Sequence, residues 1–247
     1  CSDLASITIP DGVTSIGNGT FMWCSSLESI MIPDSVTSIG TDAFNSCKSV
    51  SGITIPKNVT EIGLRAFADC ASLTEIKVSD ENSNYASVDG VLYNKDKTSV
   101  VCYPAGIKDS NYKIIDGVTT IERESFYDCT ELTSVTVPDS VTCISGEAFK
   151  SCTNLTSITL PDSAMYIDNW AFYNCTSLKE VTIPASVTYI YDKAFLNCTS
   201  LAAVSLPASV ISVGDKAFGY YQDDNYEIKA VDGFKLCQEY IWTLIRG

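Results

Sequence analysis

Eleven cysteines and no histidine stand in a chain of 247 residues, and these two facts bound its chemistry first. Without imidazole there is no Ser-His or Cys-His nucleophile pair, no histidine general base and no histidine-bearing zinc site. So many cysteines suggest a disulfide framework until their spacing is read. Cys1, Cys24, Cys47 and Cys70 step by 23, as do Cys129, Cys152, Cys175 and Cys198. Equal steps put these thiols at one position of successive coils, about 5 Å apart with parallel side chains. Parallel vectors hold the Cβ atoms wider than the ~3.5–4.5 Å a disulfide needs, and a straight row cannot surround a metal tetrahedrally. The row is expected to be buried free thiols whose S–H groups donate to backbone carbonyls. Cys102, Cys143 and Cys237 lie off it, and Cys143, at an outward position in V-T-C-I, is the one candidate reactive thiol, or else an incidental surface cysteine.

Other chemistry-bearing types are poorly placed for catalysis. The carboxylate pairs Asp80-Glu81 and Asp223-Asp224 sit in polar loops with no convergent partner, so no catalytic residue is assigned. Asn94–Thr98, N-K-D-K-T, lacks the carboxylates and glycine of a calcium loop and reads as a polar hairpin turn. No cofactor or metal site is expected. Five N-x-S/T sequons occur, and those at Asn174 and Asn197 contain a ladder cysteine, which makes them by-products of N-C-T.

Sixteen basic against thirty acidic residues leave a net charge of −14. That field repels phosphate backbones, which argues against nucleic acid and anionic membranes as partners. No apolar run approaches the roughly 20 residues of a membrane helix. The chain opens at Cys1–Ser2–Asp3 inside its own repeat pattern, with no leader, and reads as a fragment or mature form of something longer.

The elements that carry these residues recur at a fixed period. The anchor phenylalanines Phe21, Phe44, Phe67, Phe126, Phe149, Phe172, Phe195 and Phe218 are 23 apart, except for one interval of 59. Prolines and leucines keep the same beat, giving L-x-x-I-x-I-P-x-x-V-x-x-I-x-x-x-A-F-x-x-C-x-x. I-x-I alternates apolar with polar, a strand with one buried face. Proline ends that strand, V-x-x-I supplies a second extended side, and x-A-F-x-x-C reads as a short helical turn. No copy can bury its apolar face alone, so the copies must stack. This predicts an α/β, β-rich right-handed solenoid with a parallel sheet along one face and short helical turns. The whole, 1–247, reads as a single domain, with regular repeats over 4–78 and 112–218. An elongated, hairpin-containing repeat spans 79–111, and a capping segment spans 219–247. Within the elongated repeat, Val91–Tyr93 and Val100–Tyr103 are expected strands, with Pro104 in the strand-ending place.

The unit L-x-x-I-x-I-P…V-x-x-I-G…A-F-x-x-C closely resembles the BspA-like class of leucine-rich repeats, over Leu4–Phe218. The resemblance implies a secreted or cell-surface protein, usually bacterial, whose repeats act in adhesion and in binding host or matrix proteins. It brings no catalytic residues, so a non-enzyme is expected. The alternative is a rigid spacer within a larger surface protein.

Functional residues are sought where copies depart from the repeat. Tyr166 and Tyr189 stand where other coils carry serine, Tyr191 replaces a glycine, Trp170 replaces a charged residue, and Tyr173 follows its core phenylalanine. Clustered non-core aromatics mark protein or glycan contact sites, although tyrosines that merely cover neighbouring coils would look the same. The solvent-facing strand positions, such as Ser134/Thr136 and Ser157/Thr159, form a hydroxyl-rich face that cross-strand pairing suffices to explain, while the resemblance to leucine-rich repeats implies a concave side on which ligands commonly bind.

Overall fold

The computed structural model describes residues 1–221 and 228–229, which fall into two compact units. One comprises Cys1–Lys108 with Glu122–Glu131, the other Asp109–Ile121 with the chain from Leu132 on. Among the described residues no helix is long and apolar enough to cross a membrane.

Alternation sets the first half of each coil. In the first unit β1 (Ser6–Thr8) pairs in parallel with β3 (Ser29–Met31), and β5 (Gly52–Ile55) with β7 (Glu75–Val78). Ile30, Ile53 and Ile76 are buried while Met31, Thr54 and Lys77 face solvent, as a period of two requires. Past the proline, V-x-x-I forms the short parallel strands β2 (Ser15–Ile16), β4 (Ser38–Ile39) and β6 (Glu61–Ile62). Glycine follows the isoleucine because the coils nearly touch there: a Cβ on Gly63 would lie 2.3 Å from the Thr41 nitrogen.

In the 36-residue interval between Phe67 and Tyr103 the chain builds an antiparallel meander instead. It comprises β8 (Tyr85–Val88), β9 (Val91–Asn94) and β10 (Ser99–Cys102). Asp89 and Gly90, both at positive φ (49° and 82°), close the first hairpin in the geometry that favours Asp-Gly. The Asn94 side chain closes the second by accepting from the amides of Thr98 and Ser99 (2.8 and 2.9 Å). Tyr103 does not end a regular strand before proline, as its sequence context suggested. It takes the anchor-phenylalanine slot, stacked 5.1 Å from Phe126, which shifts Pro104 one residue past that slot.

The second unit repeats the regular plan. Its first sheet is β11 (Asn111–Lys113), β13 (Ser134–Thr136), β15 (Ser157–Thr159), β17 (Glu180–Thr182) and β20 (Ala203–Ser205), all parallel. The V-x-x-I strands β12 (Thr120–Ile121), β14 (Cys143–Ile144), β16 (Tyr166–Ile167), β18 (Tyr189–Ile190) and β21 (Ser212–Val213) form the second. β19 (Phe195–Leu196) pairs in parallel with β22 (Phe218–Tyr221), which pairs antiparallel with β23 (Ile228–Lys229). The rest of the expected 219–247 cap lies outside the described residues.

The x-A-F-x-x-C segment is a second departure from the expected architecture, since it contains no helix among the described residues. Two residues per coil, four apart, adopt the left-handed conformation: Asp42 and Ser46, Glu147 and Ser151, Trp170 and Asn174. Each reversal aims a backbone N–H at the next coil, so donors alternate. Phe149 and Ser151 donate to Ala171 and Tyr173 (2.8 Å each), whereas Ala148 and Lys150 donate three residues back within their own coil. A helix would keep every bond inside the coil. Here half of them tie coils together, which offsets the ~1–2 kcal/mol that a left-handed non-glycine residue costs.

Inside, identical residues stack. Phe149, Phe172, Phe195 and Phe218 lie 5.0–5.3 Å apart with rings within 5° of parallel. All ten described cysteines are free thiols. Cys47 and Cys70 donate to the carbonyls of Phe21 and Phe44, and Cys175 and Cys198 to those of Phe149 and Phe172, each at 3.1 Å. Burial pushes the Cys47 thiol up to about 12 and raises Cys175 as well. These are structural, unreactive sulfurs.

Candidate functional site

The five aromatic departures all fall in the second unit, and the backbone determines how they meet. With Ile167 and Ile190 buried, Tyr166 and Tyr189 must point outward, and the β16–β18 register sets them opposite each other. Tyr191, one residue beyond β18, completes the group. Its ring lies 6.0 Å from Tyr189 in a stacked arrangement and 6.0 Å from Tyr166 edge-on. Tyr189 and Tyr191 are each 40% exposed, whereas Tyr166 is half-buried.

Trp170 and Tyr173 form a second group through the left-handed turn. Trp170 (φ 61°) donates its N–H to Asp192, and Tyr173 donates back to the Trp170 carbonyl. That i,i+3 bond brings the rings to 4.9 Å in an edge-on contact. Two lysines frame the indole. The Lys193 ammonium, one coil on at the Trp170 slot, lies 4.3 Å from its ring centre. Lys150, one coil back at the Tyr173 slot, lies 5.5 Å from Trp170 and 5.6 Å from Tyr173. Cation–π contacts of this kind hold both rings and charges in place.

Cys143 is not the open thiol its outward slot suggested. It is half-buried, its sulfur 3.1 Å from the Tyr166 hydroxyl and 3.6 Å from Ser145. The same contact, reinforced by burial, pushes the Tyr166 hydroxyl up to about 12. Tyr166 therefore stays protonated at neutral pH.

Of the carboxylate pairs, Asp80 and Glu81 are exposed, with Glu81 3.7 Å from Lys57. Asp223 and Asp224 lie outside the described residues. Sequence reasoning missed two features of the first unit. Asp128 hydrogen-bonds to Asp69, and burial together with that neighbour pushes its carboxyl up to about 6. Arg65 grips Asp42 through Nε and Nη2 (2.8 and 2.9 Å) and reaches the buried Glu124 at 3.5 Å, while Arg123 approaches Glu124 at 3.6 Å. The Arg65 fork holds the Asp42 carboxyl below the usual carboxylate range. A signal for this network was present: Arg65 and Arg123 are two of only three arginines in a chain with thirteen lysines. Asn174 and Asn197 also find their reason in the structure, because both occupy left-handed slots that asparagine tolerates well. Among the described residues no three Cys, Asp or Glu side chains converge as a metal centre would require.

Short coils in parallel register, with leucine, isoleucine, phenylalanine and cysteine each stacked on its own kind, define a leucine-rich-repeat solenoid. The chain belongs to the BspA-type family of these proteins: the family model for the BspA type leucine rich repeat region (6 copies) matches residues 1–109 and 105–225. No curated protein matches in sequence. A leucine rich cell surface protein from Faecalibacterium prausnitzii is similar in structure, with TM-score 0.75 and 34% identity over 89% of this chain and 60% of its own. The pneumococcal vaccine antigen PcpA shares the fold (TM-score 0.81, 24% identity, 96% of this chain and 64% of its own). A leucine-rich repeat protein from Eubacterium ventriosum does so more distantly (TM-score 0.52, 23% identity, 96% of this chain and 85% of its own). The chain thus spans less than two thirds of the length of the first two.

Proposed function

We propose that this chain is the non-catalytic interaction module of a secreted or cell-surface bacterial protein, a single repeat domain that adheres to a host, matrix or neighbouring-cell protein. The observation that carries this reading is the aromatic surface of the second unit. Tyr189 and Tyr191 are exposed where other coils place serine and glycine, and Trp170 and Tyr173 lie between two lysines. Aromatic and cationic side chains, already ordered by their own contacts, are the usual anchors of protein interfaces because little side-chain entropy is lost on binding. Scaffold positions need none of them, since neighbouring coils fold with serine, glycine and lysine there. Membership of a family that includes a cell-surface protein supports the location.

A second reading, a rigid spacer, is favoured by the near-parallel ring stacks and intercoil hydrogen bonds, which make each unit stiff. Binding of the chain to immobilised matrix proteins and to host cells separates the two. The interaction reading expects saturable binding that falls at least tenfold in Trp170→Ala/Tyr189→Ala with the melting temperature preserved. Unchanged binding removes the patch, and absence of any binding partner favours the spacer.

A further inference from the structure

The elongated repeat interrupts the regular stack of the first unit, and a half-enclosed cavity of about 340 Å³ opens beside it. Its walls come from the coil around Arg65, from the meander and from the segment around Glu124. We propose that this cavity binds one neutral sugar ring, such as the terminal hexose of a glycan.

Four observations point to that chemistry. The volume lies at the lower end of the range of small-molecule sites, and it suits a single ring. The charged groups on the wall balance, with Arg65 and Arg123 against Glu122 and Glu124, so no net field selects a free ion. What remains is a set of fixed donors and acceptors, the arrangement that vicinal hydroxyls match. Apolar surface stands next to it: Tyr85 and Tyr127 are half-buried in the lining, and Leu64 is 48% exposed. A sugar presents both kinds of surface, with C–H faces for the rings and hydroxyls for the charged groups. The wall is also held in place before any ligand arrives, because Arg65 is bound to Asp42 through two nitrogens and Glu124 sits between Arg65 and Arg123.

The repeat supplies an independent argument. At the slot of Leu64 and Arg123 the other regular coils carry Asn18, Thr41, Gly146, Asn169, Asp192 and Asp215. The one large apolar residue and the one arginine at this slot both line the cavity. Structural need does not explain Leu64, since half of it faces water and its neighbours manage with short polar residues.

The test is saturation-transfer NMR and calorimetry of the full chain with glucose, galactose, mannose, N-acetylglucosamine, N-acetylgalactosamine and glucuronate. Saturable binding of at least one neutral sugar is expected. It should weaken at least tenfold in Ala105→Trp, which fills the cavity from a half-buried position, and several-fold in Leu64→Thr, which restores a residue another coil already uses. Trp170→Ala in the second unit should leave it unchanged, so failure here and failure of the adhesion reading are distinguishable. Melting temperature checks that both cavity variants fold. The proposal is overturned if no neutral sugar saturates, if glucuronate alone binds, or if well-folded Ala105→Trp and Leu64→Thr bind as tightly as the parent.

Discussion

Replacing Asp128 with asparagine should stabilise the protein at neutral pH and do nothing in acid. Asp128 is half-buried and hydrogen-bonded to Asp69, while Asp69 accepts from Ser46 at 2.8 Å and lies 3.6 Å from Lys48. Asp128 is the member of the pair that holds its proton, to about pH 6 against an ordinary 3.8. A raised carboxyl pKa means that the folded state binds more protons than the unfolded chain between those values, so stability falls as pH rises through the window. The interval of about 2 units corresponds to ~3 kcal/mol at about 1.36 kcal/mol per unit. Solvent reaches part of the group, so the expected gain is smaller, on the order of 1–2 kcal/mol. Asparagine preserves the shape, can donate to Asp69 as the protonated acid does, and tolerates the local φ of 60°. Urea unfolding of both proteins, followed by circular dichroism at pH 3.5, 5 and 7.5, measures the difference. The gain should be near zero at pH 3.5, partial at pH 5 and full at pH 7.5. A difference independent of pH, or a loss of stability at pH 7.5, refutes the reasoning.

The remaining predictions concern the stacked core. Phe172 is fully buried between Phe149 and Phe195, at 5.3 and 5.0 Å, so Phe172→Ala should cost ~3–5 kcal/mol, read as a lowered urea midpoint. A cost below about 1.5 kcal/mol would mean that the coils collapse around the gap. Apart from Cys1, which is exposed, the ladder thiols should resist labelling in the native protein, because a buried sulfur whose thiolate forms only near pH 12, as at Cys47, is a poor nucleophile. Unfolding without reductant should expose at least the ten described thiols, and a smaller count would reveal disulfides where the structure has free thiols.

How far the sequence could be read depended on whether a residue's role was fixed by its own coil. Inward positions were fully legible: period-two alternation, the proline stop and the 23-residue beat place Ile53, Phe149 and Cys175 in the core without coordinates. Cys175 donates to a backbone carbonyl, as expected of the row, although which carbonyl, that of Phe149, was not legible. The x-A-F-x-x-C segment was misread because its helix-like spacing says nothing of where the N–H groups point. Left-handed residues such as Asp42 and Ser46 carry no single residue type to announce them. Tyr103 was misplaced for a related reason, since tyrosine before proline looks like a strand end until Phe126 is seen to stack on it.

The aromatic residues were found by comparing copies, but their grouping was not. Which tyrosine meets which depends on register and on a turn bond, and the lysines beside Trp170 come from coils 23 residues away in either direction. The rarity of arginine marked Arg65 and Arg123, but which carboxylates they meet, and the Asp69–Asp128 pair, could not be read because the elongated repeat lies between the partners in sequence. A regular repeat lets a neighbour be predicted by adding 23, and the irregular coil breaks that arithmetic. The same break opens a cavity, so the place where sequence reasoning failed is also where the stack acquires a concave site. In a solenoid built from one repeated solution, a residue type that the repeat does not require must be explained by its surroundings. Leu64 in one unit and Trp170 and Tyr189 in the other stand where neighbouring coils manage with threonine, lysine and serine, whereas Arg123 has a partner in the buried Glu124.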